Sequence, residues 1–131
     1  MHLNPVSIGI ILSLSVLLII YLPILYFRHR IRRNRELIYL LGQENFEYIL
    51  IDIRRVEDYE KEHIPGAFNV PYPESLNYLP SENMFERIYV YGQNRCRTRE
   101  VVREMSDTGY FNVSYVGIFR EWKGPVEKEK E

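Results

Sequence analysis

Cysteine is almost absent from this chain, which has one, Cys96, in 131 residues. A single thiol excludes an intramolecular disulfide and fits a reducing compartment. Histidine is scarce too: His2, His29 and His63 are scattered without metal-ligand spacing, and there is no cysteine pair to join them. The expectation is no metal, and nothing in the sequence asks for another cofactor. Residues 1–35 contain five arginines and no acid, and no charge of either sign falls between Pro5 and Phe27. The rest of the chain therefore holds 12 basic against 18 acidic side chains, a balance of -6 that the overall value of -1 conceals. Such a segment is long enough to bury one core, and its acidity argues against nucleic acid as a partner. There is no internal repeat.

The uncharged run Pro5–Phe27, PVSIGIILSLSVLLIIYLPILYF, covers roughly 34 Å as a helix, slightly more than the hydrocarbon core of a bilayer. A buried core helix would need a larger protein around it. A cleaved signal peptide would want a basic leading region, a shorter apolar stretch and small residues at a cleavage site. The run instead opens MHLN and closes YLPILYF, and a transmembrane helix is expected. Tyr21 and Tyr26 suit the interface, and Pro23 is placed to kink the last turn. Arg28–Arg35, RHRIRRNR, reads as a stop-transfer signal that holds this flank at the inner membrane surface, where it also suits anionic head groups. The expected organisation is a short exterior segment (1–4), a spanning helix (5–27), a basic juxtamembrane segment (28–35), a cytoplasmic domain (36–125) and a disordered charged tail (126–131). Gly9 and Ser13 add a weak small-xxx-small cue for helix pairing.

Within the domain, Glu36–Gln43 reads as a short helix stopped by Gly42, and Tyr48–Ile53, YILIDI, as a buried parallel strand. Val56–Glu62 is a charged helix of about two turns. His63–Tyr72 supplies a turn at Pro65 and Gly66 and then a short strand, Ala67–Val70. Glu74–Leu79 is expected to be helical up to Pro80. Ile88–Tyr91 is the central strand, followed by a polar turn from Gly92 and a helix from Arg99 to about Gly109, with Val101, Val102 and Met105 on one side. Val113–Val116 is the last strand, and Phe119 and Trp122 would pack a final helix on the sheet.

The strand, turn and helix of Ile88–Arg103, IYVYGQNRCRTREVVR, carry the chemistry. At the carboxyl end of a parallel strand, backbone N–H groups and a helix N-terminus favour an anion or a thiolate. Arg95, Arg97 and Arg99 add three guanidinium groups around Cys96.

Three stretches, LIDIRRVEDYEKEHIPGAFNVPY from Leu50, IYVYGQNRCRTREVVREM from Ile88 and GYFNVSYVGIFREWKGP from Gly109, together resemble a single-domain rhodanese. The resemblance implies a five-stranded parallel α/β sheet with helices on both faces. It also implies a loop whose first residue is a cysteine that accepts sulfane sulfur as a persulfide, in a pattern like C-x-x-x-x-R-S. Here Arg97 and Thr98 match the arginine and the hydroxyl, but Gly92 stands at the cysteine position. Arg95 replaces a usual glycine, and Ile118 stands where the family often has the second of two glycines.

The expectation is therefore a membrane-anchored binding or regulatory module that keeps an anion-binding loop, Gly92, Gln93, Asn94, Arg95, Cys96, Arg97 and Thr98, supported by Asp52 and Arg54. Its partners would be the membrane, a small oxyanion or sulfur donor, and a protein the sequence does not name. The alternative is a sulfurtransferase that uses Cys96 as a relocated nucleophile, although a side chain one residue before the arginine should point away from the amide focus. If the loop keeps the family shape, a cysteine restored at Gly92 is expected to meet that focus. His63 reads as a structural hydrogen-bonding residue.

Overall fold

The computed structural model describes residues 4–43 and 46–129. Met1–Leu3 of the exterior segment, Lys130 and Glu131 of the tail, and the side chains of Arg30, Arg32 and Arg33 in the arginine run lie outside the described residues. The chain forms two compact units, Met1–Arg35 and Glu36–Glu131.

Helix α1 is assigned over Pro5–Leu41. Its Pro5–Tyr26 part has a mean hydropathy of 2.7 and none of it is covered by protein, so it is long and apolar enough to cross a membrane. A helix that is apolar all round suits a lipid environment. Two of its hydroxyls are satisfied within the helix: Ser13 Oγ donates to the Ile10 carbonyl at 2.9 Å and Ser15 Oγ to that of Leu12 at 2.8 Å.

In the second unit, strands β1 (Ile49–Asp52), β2 (Phe68–Asn69), β3 (Arg87–Gly92) and β4 (Asn112–Ile118) form one parallel sheet in the order β2-β1-β3-β4. Helix α2 spans Val56–Lys61 and α3 spans Arg95–Thr108. The expected fifth strand is not found among the described residues. Read residue by residue, the sequence contains four strand-like runs, and the fifth came from the family resemblance alone. Ahead of β1 the chain is helical to Leu41 and then turns, with Gly42 N–H donating to the Tyr39 carbonyl and Gln43 N–H to that of Leu40.

Alternation along the strands gives the sheet two apolar faces. Leu50, Tyr89 and Tyr91 pack with Leu37, Leu40, Ile64 and Tyr59 on one side. Ile51, Ile53, Ile88 and Val90 pack with Val101, Met105 and Tyr110 on the other. Helical segments cover both faces, as expected. Two shorter elements differ from the sequence reading: Glu74–Asn77 and Phe119–Glu121 are single 3-10 turns, not α-helices. Pro80 and, after Trp122, Gly124 and Pro125 leave too few residues to propagate a helix.

The charged end of the domain also differs. Glu127 forms an antiparallel bridge with His63, each N–H donating to the other's carbonyl at 2.9 Å. Glu127 Oε1 accepts from Gly66 N–H at 3.2 Å and lies 3.0 Å from His63 Nε2, and Glu129 N–H donates to the Glu60 carbonyl at 3.3 Å. Residues 126–129 are therefore held by backbone pairing and do not form a free tail. His63 is buried, with its ring stacked 3.9 Å from that of Tyr59 and Nδ1 2.9 Å from the Tyr59 carbonyl, an anchoring role in the turn.

Candidate functional site

The carboxyl ends of the parallel strands converge on one rim, the usual place for a site in such a sheet. Asp52 and Arg54 fix that rim after β1. Asp52 is fully buried and Arg54 nearly so. Arg54 donates through Nε and Nη2 to both carboxylate oxygens, at 2.7 to 3.1 Å, and through Nη2 to the Glu62 carbonyl at 2.6 Å. Its guanidinium also lies 4.0 Å from the Phe119 ring centroid. Burial alone would lower the Arg54 pKa, and the hydrogen bonds and charge of Asp52 more than offset this. Tyr91, buried beneath the pair, has its phenol pushed above the ordinary range by burial and then by the Asp52 charge. Its oxygen accepts from Ile64 N–H at 3.1 Å. A buried, bidentate pair with these further contacts is a rigid support.

Beyond β3, the helix begins four residues earlier than expected. Asn94 is the N-cap of α3: its backbone is extended and its side chain accepts from Arg97 N–H at 3.1 Å. Asparagine is a favoured cap because its oxygen satisfies an otherwise unpaired amide of the first turn. Arg95, Cys96, Arg97 and Thr98 consequently form that first turn, and only Gln93 and Asn94 lie between strand and helix. The expected seven-residue loop is corrected to this shorter connection. Arg95, in place of a glycine, adopts ordinary helical geometry.

This arrangement separates the residues grouped in the sequence. Gln93, Asn94 and Arg97 line a cleft of about 510 Å³ together with Ile53, Arg54, Arg55 and Tyr72. Arg95 forms an ion pair with Glu121. Thr98 is fully buried and donates from Oγ1 to the Asn94 carbonyl at 2.7 Å. Cys96 is exposed and lies outside the set of residues that line this cleft. Arg99 has its guanidinium 5.2 Å from the Tyr115 ring centroid. Gly92 is buried, and a Cβ added there would meet Thr98 Oγ1 at 2.5 Å and Ile53 Cγ1 at 2.7 Å. The restored cysteine envisaged from the sequence therefore has no room without displacement of its neighbours.

Four contributors escaped the sequence reading: Arg55, Tyr72, Phe119 and Arg120. The Arg97 guanidinium lies 4.9 Å from the Tyr72 ring centroid, and the Tyr72 hydroxyl donates to Glu100 Oε2 at 2.9 Å. That hydrogen bond, followed by partial desolvation, raises the Tyr72 pKa. A second cleft of about 320 Å³ is lined by Arg54, Asp58, Gln93, Ile118, Phe119 and Arg120. All four residues follow the carboxyl end of a strand, so the convergence of those ends was the available signal. No cluster of metal-ligating side chains occurs among the described residues.

Residues 34–124 match the sequence profile of the rhodanese-like domain, and the chain belongs to that family. YrkF of Bacillus subtilis is 32% identical over 79 residues, which are 60% of this chain and 43% of YrkF. The thiosulfate sulfurtransferase PspE of Escherichia coli is 30% identical over 83 residues, 60% of this chain and 77% of PspE. The crystal structure of the Alr3790 protein from Anabaena superposes with a TM-score of 0.65 at 26% identity, covering 72% of this chain and 89% of that one. The chain thus spans less than half the length of YrkF, and its sulfurtransferase-named relatives share low identity with it.

Proposed function

We propose that this is a membrane-anchored rhodanese-like protein whose cytoplasmic unit binds a small oxyanion such as sulfate, thiosulfate or phosphate, as a binding or regulatory module without sulfur transfer at position 92. The observation that carries this reading is the packing around Gly92. Rhodanese chemistry needs a thiolate to attack the outer sulfur of thiosulfate, break the S–S bond and release sulfite. Glycine offers no thiolate, and Thr98 and Ile53 fill the space a side chain would take. Cys96, in the first turn of α3, is exposed and is not among the residues that line the cleft. A thiol there lacks the geometry that nucleophilic catalysis requires.

The cleft lining supports binding. Arg97 and Asn94 sit at the N-terminal end of a 14-residue helix, beside a rim braced by Asp52 and Arg54. Partial positive charge from the helix end and a guanidinium at the same place favour an oxyanion. Thiosulfate is the named substrate of PspE, which makes sulfur oxyanions the first class to test. The uncovered apolar span and the arginines that follow it support the anchor and a cytoplasmic domain. A protein partner of the module belongs to the same reading.

Titration calorimetry on the detergent-solubilised full chain tests the binding. Sulfate and thiosulfate should bind, and Arg97→Ala should weaken both about tenfold or more. Absence of heat with either anion would refute the reading. A carboxyl-terminal reporter active only in an oxidising exterior should stay silent, and its activity would reverse the topology.

A further inference from the structure

The two clefts share Arg54 and Gln93 and together run along the carboxyl rim of the sheet from Tyr72 to Arg120. Their volumes, about 510 and 320 Å³, far exceed a five-heavy-atom oxyanion, which takes on the order of 150 Å³ if each heavy atom needs the share of one water. Ligand pockets for organic molecules of moderate size fall in the range these clefts occupy.

The charges of the lining residues sort simply. Arg54 is neutralised by Asp52, with Nη2 2.7 Å from Oδ2. Arg55 and Asp58 face each other at 3.3 Å, so the single carboxylate among the lining residues of the second cleft is already opposed. Just outside the lining, Arg95 is paired with Glu121. Arg97 and Arg120 are left. Arg97 faces the Tyr72 ring, and neither Arg97 nor Arg120 has a carboxylate within ion-pair distance among the described residues. One unopposed guanidinium therefore serves each cleft, in a domain whose overall balance is acidic. Between them lies Gln93, whose amide both donates and accepts.

We infer that the double cleft takes an elongated organic dianion, with one anionic group at Arg97, the second at Arg120 and a linking chain laid across Gln93. This deepens the oxyanion reading by assigning Arg120 as a specificity-determining residue, and it rests on that reading for the Arg97 end. A compact dianion such as sulfate engages one guanidinium, whereas a ligand of matched length engages both. The gain comes from the second contact being made intramolecularly once the first has formed.

The test is competition calorimetry on the solubilised full chain with sulfate, the linear dicarboxylates from succinate to sebacate, and monocarboxylates of equal length. Affinity should peak at one dicarboxylate length and exceed that of the matched monocarboxylate about tenfold. Arg120→Gln should reduce that dicarboxylate's binding about tenfold, a larger loss than it causes for sulfate, and should erase the advantage over the monocarboxylate. Arg97→Gln should weaken sulfate and dicarboxylate together. If sulfate binds through Arg97 but dicarboxylate affinity is independent of length or of Arg120, the bridging inference fails while the oxyanion reading stands. If neither sulfate nor any dicarboxylate binds, both fail.

Discussion

The Thr98 hydroxyl occupies ground that a side chain on Gly92 would need, since a Cβ at that glycine would stand 2.5 Å from Thr98 Oγ1. On its other side the same atom would meet Ile53 Cγ1 at 2.7 Å, and both neighbours are buried. Neither contact involves the free end of a long side chain, so relief requires movement of the β1 end or of the first turn of α3.

Overpacking of this kind costs about 1 to 3 kcal/mol. Gly92→Ala and Gly92→Cys should each lower the unfolding free energy by that amount in denaturant titrations, and Gly92→Cys should acquire no persulfide from thiosulfate. Because Thr98 and position 92 touch, adding Thr98→Ala to Gly92→Ala should give a loss smaller than the sum of the single losses. Strict additivity would show that the two sites do not compete for space.

Arg54→Ala should be far more damaging, by about 3 to 5 kcal/mol, because it strands the Asp52 carboxylate in a buried site. Arg54→Lys should recover little, since an ammonium cannot reproduce two parallel hydrogen bonds. Urea unfolding of Arg54→Ala within 1 kcal/mol of the parent would mean that water replaces the guanidinium.

These residues also show what the sequence made legible. Asp52 and Arg54 were picked out through the family resemblance, whose first motif carries their D-x-R run, and the four strands from their apolar runs, because burial in a parallel sheet selects nearly continuous hydrophobic segments. The α3 boundary was missed at one residue: Asn94 was read as part of a polar turn when its side chain caps the helix, and that shift moved Arg95–Thr98 out of the loop. Tyr72 and Arg120 were invisible for another reason. They line clefts with Arg54 and Gln93 only because the carboxyl ends of strands far apart in the chain share one rim, which no local pattern encodes. The anchoring of Glu127 depends on a partner 64 positions away and was likewise out of reach.

Glu127→Ala should lower stability by about 1 kcal/mol by leaving Gly66 N–H without its acceptor. Deletion of residues 126–131 should cost more, because the backbone bridge to His63 is lost as well. Hydrogen exchange should show the His63 and Glu127 amides protected in the parent chain. An unchanged stability after deletion would restore the picture of a free tail.

Alkaline pH provides a separate check. Tyr89, buried on the α1 side of the sheet, donates to Glu36 Oε1 at 3.1 Å, and its pKa is pushed up to about 12, first by burial and then by the Glu36 carboxylate. An unfolded phenol titrates near about 10. The folded domain thus keeps a proton that the unfolded chain releases. The stability linked to Tyr89 is complete below about pH 10 and is lost as pH rises through about 12, a fall of about 2 to 3 kcal/mol. Denaturant titrations at pH 9 and pH 12 should show a smaller alkaline loss in Tyr89→Phe than in the parent. Equal losses would remove Tyr89 as a source.

The most direct measurement is sulfur transfer by the full chain. The solubilised protein is incubated with thiosulfate, its intact mass is recorded, and cyanide is then added to detect thiocyanate, in parallel with Cys96→Ser. The account predicts no mass gain of a sulfur atom and no thiocyanate above the buffer level in either protein, while thiosulfate still binds to both. A sulfur adduct on Cys96, with thiocyanate formation abolished by Cys96→Ser, would contradict it and establish the exposed thiol as the nucleophile.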